Sequence, residues 1–160
     1  MRQAWLADPE MMAYNARWNV NYPGYDPITG CIDWPETEWS AFEARLQLPA
    51  ERQGYFYVLD TAMGAFIGHA HYEVGSENAA NIGINVIPSM RGRGLGERIL
   101  RLVVDRIWRD TDADQIVNDF EDDRGAGLRT HQRCGFVPDP DTRDGWGRPT
   151  RTWRLRRTSS

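Results

Sequence analysis

The stretch Arg91-Gly-Arg-Gly-Leu-Gly96 has the residue types and spacing to hold an anion. It lies between an apolar run ending in Val86-Ile87-Pro88 and an amphipathic pattern that opens at Leu95. Glycines at such a junction permit positive φ and close approach of a ligand to the backbone. The amides that open a helix lack intrahelical partners, and the helix dipole adds partial positive charge. Together these make a pyrophosphate-type site, to which Arg91 and Arg93 add full charge. The spacing is Gly92-x-Gly94-x-Gly96. It is not the dinucleotide pattern G-x-G-x-x-G, and no Gly-Lys-Ser/Thr closes it as in a nucleotide P-loop. Taken alone, the pattern is also compatible with a flexible turn carrying solvated arginines.

The elements around the loop follow from periodicity. Asp8 and Pro9 suit the start of a helix over 8–20, and Trp39, Phe42 and Leu46 mark a second short helix. Residues 21–35, rich in Pro, Gly, Asp and aromatics, read as a loop. Strands are expected at 54–60 and 65–75, joined by a hairpin turn at Thr61-Ala-Met-Gly64, and at 81–87. A helix runs from Leu95 to about Trp108, followed by a strand at 115–121 and a weak helix at 122–134 that Gly135 ends. Phe136 to Asp139 starts a further strand or loop, 139–149 is a long turn region, and 150–157 is the last strand. The order predicts an α/β domain with antiparallel early strands and later ones joined by a helical crossover.

Composition narrows the class. Hydrophobic residues at 41% and charged residues at 26% fit one globular domain over 1–160. Within it, 1–50 forms a helical and loop region and 51–160 carries the sheet. No segment approaches the ~18 apolar residues of a membrane span, and the first residues have no signal-peptide core. Cys31 and Cys134 lack metal-like spacing, so a reduced, cytoplasmic protein without metal is expected. All 19 basic residues are arginines, so no lysine can serve as Schiff-base former or base. The net charge of −4 disfavours nucleic acid as a partner.

Written as Arg91-x-x-Gly94-x-Gly96 after Val86-x-Pro88, the loop resembles the acyl-CoA signature of the GNAT N-acetyltransferase superfamily. Leu128-Arg-Thr-His-Gln-Arg-Cys-Gly-Phe136 resembles the later helix of that family, which runs into Gly-Phe. The strand order is similar from about residue 8 onward. Two departures stand out. The family's first strand has room to be only short or absent here, and the tyrosine four residues before the Gly of Gly-Phe is replaced by His131.

The resemblance implies a mixed, mostly antiparallel central sheet, flanked by helices and splayed at an acyl-CoA cleft. It also implies direct transfer of acetyl from acetyl-CoA to an amine, with no covalent enzyme intermediate. The backbone of the strand through Ile84, Val86 and Ile87 would hold the pantetheine. The loop Arg91, Gly92, Arg93, Gly94, Leu95 and Gly96 would take the pyrophosphate, and Arg124, where the family's later helix commonly has Asn near its start, is a further cofactor-binding candidate. His131 is the candidate acid by position, with packing against coenzyme or core as the alternative. Glu73, Asp119 and Glu121, near strand ends, are candidate bases, each also readable as an ordinary surface acid. His69 and His71 share a strand face with Glu73 and read as solvated or structural.

In the family the N-terminal region roofs the acceptor. Residues 1–42 hold eight of the 18 aromatics, and aromatic faces attract cations and stack on sugars. Tyr25, Asp26, Asp33, Trp34 and Glu36 are candidate substrate residues. An acidic, aromatic pocket suits a small-molecule amine such as a polyamine or an amino sugar. The resemblance, whose small members include aminoglycoside N-acetyltransferases, implies an aminoglycoside-like amine of the kasugamycin type as the leading acceptor, and its acetylation would give antibiotic resistance. Another metabolite amine, a protein N-terminus, or a non-catalytic acyl-CoA sensor are the alternatives. A monomer or homodimer is expected.

Overall fold

The computed structural model describes residues 1–158. Its elements are α1 (Arg2–Leu6), α2 (Pro9–Met12), α3 (Trp39–Leu46), β1 (Gln53–Asp60), β2 (Ala65–Val74), β3 (Ala79–Val86), α4 (Leu95–Asp110), β4 (Gln115–Phe120), α5 (Gly125–Arg133), β5 (Val137–Gly145) and β6 (Arg148–Arg156). The six strands form one sheet in the order β1-β2-β3-β4-β6-β5. Only β3 and β4 run parallel, and α4 is their crossover. Among the described residues no helix is long and apolar enough to cross a membrane.

Two apolar clusters hold the layers. Ile99, Leu100, Val103 and Ile107 form the inner stripe of α4 and pack on Ala70, Tyr72, Ala80, Ile82, Ile116 and Phe120 of the sheet. On the N-terminal side Leu6, Met11, Met12 and Trp34 make a second cluster, joined by Trp5, Tyr14, Trp39 and Phe42. Burial of such side chains contributes about 2 kcal/mol each.

The family's first strand, expected to be short or absent, is absent among the described residues, and α1 stands in its place. Two expectations are corrected. The helix expected over 8–20 begins as foreseen, with Asp8 accepting from the amides of Glu10 and Met11. It ends at Met12, however, in a 3₁₀ turn over Ala13–Asn15. Tyr25 is the reason: its hydroxyl accepts from Trp18 N–H at 2.9 Å and donates to Asn15 O at 2.6 Å, engaging backbone groups the helix would need. Finally, the turn region expected over 139–149 is mostly β5, which closes on β6 through Trp146 and Gly147, both at positive φ. Pro138 and Pro140 are tolerated because β5 is an edge strand, and the ladder breaks between Pro138 and Thr142.

Candidate active site

The site begins where the sheet opens. β3 and β4 pair only through Ala79, Ala80 and Asn81 opposite Gln115, Ile116 and Val117. Beyond these residues both strands continue without pairing to each other. Ile87 N–H donates to Ile67 O, and Gly75 N–H to Ala79 O, so the odd-numbered residues of β3 turn their backbone groups toward β2. By strand alternation Ile84 and Val86 turn theirs into the gap. Ile87 is thereby corrected: its amide belongs to the ladder.

At the end of β3 the chain passes through Gly92 (φ 76°) and Gly94 (φ 73°) into α4. A Cβ on either glycine would meet nothing within 4 Å. Gly92, Gly94, Leu95 and Gly96 line one end of a cleft of about 1020 Å³ that runs through the gap. Arg91 also lines it but ties protein to protein, donating to Val86 O (2.9 Å) and Glu10 O (3.3 Å). Arg93 is exposed, with a bond to Ser89 O at 3.4 Å. Arg129 and Arg133 of α5 line the same end, and sequence reading missed both. Their spacing on α5, at the depth of Gly96, was the signal.

The acid and base candidates take other places. His131 is corrected to a core histidine, only 3% exposed among Phe120, Phe136 and Trp153. Its Nδ1–H donates to Gly127 O at 2.8 Å, which leaves Nε2 to accept from Asn118 at 3.0 Å. Both nitrogens are engaged, and burial holds its pKa below the usual histidine value. Glu73 is exposed at the far end of β2, where it pairs with Arg45 at 3.4 Å. Asp119 reaches the cleft wall, yet its carboxylate is paired with Arg143 and accepts from Thr152 Oγ at 2.5 Å. Glu121 is buried, paired with Arg124 and with Arg148 (3.1 Å), and accepts from Trp18 Nε1 at 3.3 Å. Arg124 lines the cleft while donating to Tyr14 O at 2.7 Å.

The five expected substrate residues lie outside the cleft lining. Tyr25 clamps the N-terminal turn. Asp26 caps its own loop by accepting from Ile28 N–H and Thr29 Oγ. Trp34 is a core residue beside Trp39 and Phe42. Asp33 and Glu36 are exposed on the outer side of that cluster.

The wall opposite the gap is instead built by β1 and β2. Tyr55, His69 and His71 line it, with Arg2, Tyr14, Asn15 and Trp18 from the N-terminal segment, Asn85 from β3 and Trp146 from the β5–β6 turn. Register places Tyr55 opposite His71 and Tyr57 opposite His69, and Tyr55 stacks on both imidazoles at 5.6 and 6.1 Å. Gly83 makes room for the His71 ring, since a Cβ there would lie 2.3 Å from its Cε1. The Nδ1 atoms of both histidines are buried without a partner among the described residues. Burial, then the neighbouring His71 and Arg2, lowers His69 to about 4; burial first, then Arg45 and Arg2, lowers His71. The matching parity of aromatic and histidine residues on two adjacent strands was the available sequence signal.

Three histidines held neutral predict acid sensitivity. Each has a folded pKa below its unfolded value of ~6.5, so the unfolded chain binds the extra protons. Stability is complete above pH 6.5 and falls as pH drops toward 4, where His69 itself protonates in the folded state. His69 alone contributes a loss of about 2 kcal/mol between pH 7 and pH 5. Urea unfolding at the two pH values measures it, and an unchanged midpoint would contradict the neutral state of these rings.

Comparison with known proteins agrees with this geometry. Residues 1–137 match the family model described as the acetyltransferase (GNAT) domain. The chain belongs to the GNAT acetyltransferase family. As a member it is an acetyl-CoA-dependent N-acetyltransferase. A search of curated proteins finds no match. Among solved structures, this acetyltransferase is similar to spermidine N-acetyltransferase from Vibrio cholerae in complex with CoA and spermine, at 14% identity over 97% of this chain and 87% of that one, with a TM-score of 0.73. An aminoglycoside acetyltransferase in complex with coenzyme A and kanamycin aligns at 18% identity over 98% and 88%, TM-score 0.69. A ribosomal-protein-S5-alanine acetyltransferase from Vibrio fischeri aligns at 14% over 95% and 87%, TM-score 0.64. At these identities the neighbours share the fold of this acetyltransferase: the open six-stranded sheet of the GNAT family.

Proposed function

We propose that the protein moves the acetyl group of acetyl-CoA directly to a primary amine of a small molecule, seated between the N-terminal segment and the β1–β2–β3 face. The observation that carries this reading is the unpaired gap between β3 and β4, ending in a glycine loop at positive φ. Ile84 and Val86 offer backbone groups to the pantetheine and to the acetyl carbonyl. The amides of Gly92 to Gly96 take the pyrophosphate at the start of α4, with Arg93 and Arg129 supplying charge. The amine nitrogen forms its bond to the acetyl carbon as the C–S bond breaks and the pair leaves on sulfur.

The ammonium must first lose a proton. With Asp119 and Glu121 held by arginines, His71 is the base we assign: a neutral imidazole whose ring lines the cleft wall. Tyr14, whose hydroxyl burial keeps protonated past its ordinary range, can return a proton to the thiolate. Replacing His71 with Phe should lower kcat about a hundredfold at neutral pH while acetyl-CoA still binds. The deficit should shrink above the pKa of the amine, where no base is needed. A loss that does not change with pH would remove His71 from this role.

Aromatic walls suit a ring-bearing or aliphatic amine alike. An amino-sugar acceptor, hence an antibiotic-resistance role, has the kanamycin-bound neighbour behind it; a metabolite amine has the spermine-bound one. None of these neighbours singles out the kasugamycin type. Thiol release from acetyl-CoA against an amine panel, with products read by mass, tests the proposal. Tight acetyl-CoA binding without turnover of any amine would overturn it in favour of a non-catalytic acyl-CoA sensor.

A further inference from the structure

The acceptor wall carries a charge that no carboxylate among the described residues neutralises. Arg2, from α1, lines the cleft beside Tyr55, His69 and His71. Its guanidinium lies 4.2 Å from the Phe42 ring, 5.0 Å from Trp34 and 5.2 Å from Tyr55, an aromatic cage. Its side chain donates to Tyr55 Oη at 2.5 Å, and its Nε is buried without a partner among the described residues. Among the described residues no carboxylate lies within ion-pair distance of it, although other partly buried arginines are paired, Arg124 and Arg148 with Glu121 and Arg151 with Asp122. A charge withdrawn from water costs stability unless it is paired.

The carboxylates of the cleft lining do not serve Arg2. Glu10 is exposed on α2, Asp119 is held by Arg143 and Thr152, and Glu97 on α4 is engaged by Arg101. The acidic residues that would have favoured a polycation, Asp26, Asp33 and Glu36, lie outside the lining. The wall therefore presents one unmatched positive charge in an aromatic setting, beside two neutral imidazoles.

We infer that the acceptor is a small amine that also carries a carboxylate, which Arg2 pairs with while the amine faces His71 and the gap between β3 and β4. This rests on the transferase reading above and narrows its substrate class. A guanidinium meets a carboxylate with paired N–H donors, and a single charge matches a monoanion better than a phosphate dianion. The aromatic cage fixes the guanidinium plane, so little side-chain freedom is lost on binding. The same carboxylate would lie near His69 and His71 and favour the protonated imidazole that forms when the amine gives up its proton.

The experiment compares matched amines on the full-length protein: α-amino acids, their carboxamides and the corresponding decarboxylated amines, together with spermine and kanamycin. The acid should exceed its own carboxamide and decarboxylated amine in kcat/KM by about tenfold to a hundredfold, expressed mainly in KM. Arg2→Gln should bring that ratio near one, and Arg2→Lys should restore part of it. Because Arg2 also packs against three aromatic rings, the wild-type ratio is decisive if the variants unfold. Carboxylate-free amines that match or exceed the acids would overturn the inference. If no amine is acetylated, calorimetry with N-acetyl amino acids and their amides in the presence of CoA separates the two ideas. Preferential binding of the acids then supports the Arg2 site while the transferase reading fails; equal or absent binding of both sinks the Arg2 site.

Discussion

Gly94→Trp is expected to abolish measurable acetyl-CoA binding, by about a hundredfold or more, in a protein that remains folded. Gly94 caps α4 at φ 73°, and a Cβ there would point into open space within the cleft lining. The indole would occupy the place where a pyrophosphate must approach the amides of α4. The left-handed backbone adds strain of about 1 kcal/mol, lowering Tm by about 3 °C. Gly64→Trp is the matched control, since Gly64 has φ 66° and equally open surroundings at the β1–β2 turn. It should show the same thermal shift and bind acetyl-CoA normally. Equal affinity in both folded variants, read by calorimetry, would remove the pyrophosphate from this loop.

That loop was legible because its information is local. Positive-φ glycines, the change of period at Leu95 and the apolar stripe of α4 all lie within one short stretch. The order of the strands was legible for the same reason, since each shows its own alternation. The acceptor wall was not. His69 and His71 read as a solvated or structural strand face, and only the packing of α1, α2 and α3 over β1 and β2 makes that face a cleft wall. Tyr25 and Asp26 misled in the opposite sense. Their types suit a substrate, yet their polar atoms bind the loop's own backbone, which composition cannot reveal. His131 stood at the family's tyrosine position, but sequence could not show Asn118 and Gly127 O waiting for its two nitrogens. β5 was hidden by prolines that an edge strand accepts and a central one would not.

Glu121→Gln should destabilise the protein by about 3 kcal/mol, which corresponds to a Tm loss of about 10 °C. Glu121 is 4% exposed and is the shared partner of Arg124 and Arg148. Those guanidiniums also donate to Tyr14 O (2.7 Å) and Ala16 O (3.4 Å) of the N-terminal segment, and Trp18 Nε1 donates to Glu121 itself. The carboxylate thus fastens the acceptor roof to the end of β4. Removing its charge leaves Arg124 without a counterion and Arg148 with only the exposed Asp123 at 3.6 Å, and the roof loses its anchor along with the Trp18–Trp146 stack at 4.8 Å. A catalytic base would behave differently. Its glutamine variant would keep full stability, lose turnover, and recover at high pH as the amine deprotonates. Thermal unfolding and a pH–rate profile on the same variant separate the two roles. A stable Glu121→Gln protein with a selective loss of kcat at low pH would return Glu121 to the chemistry and displace His71.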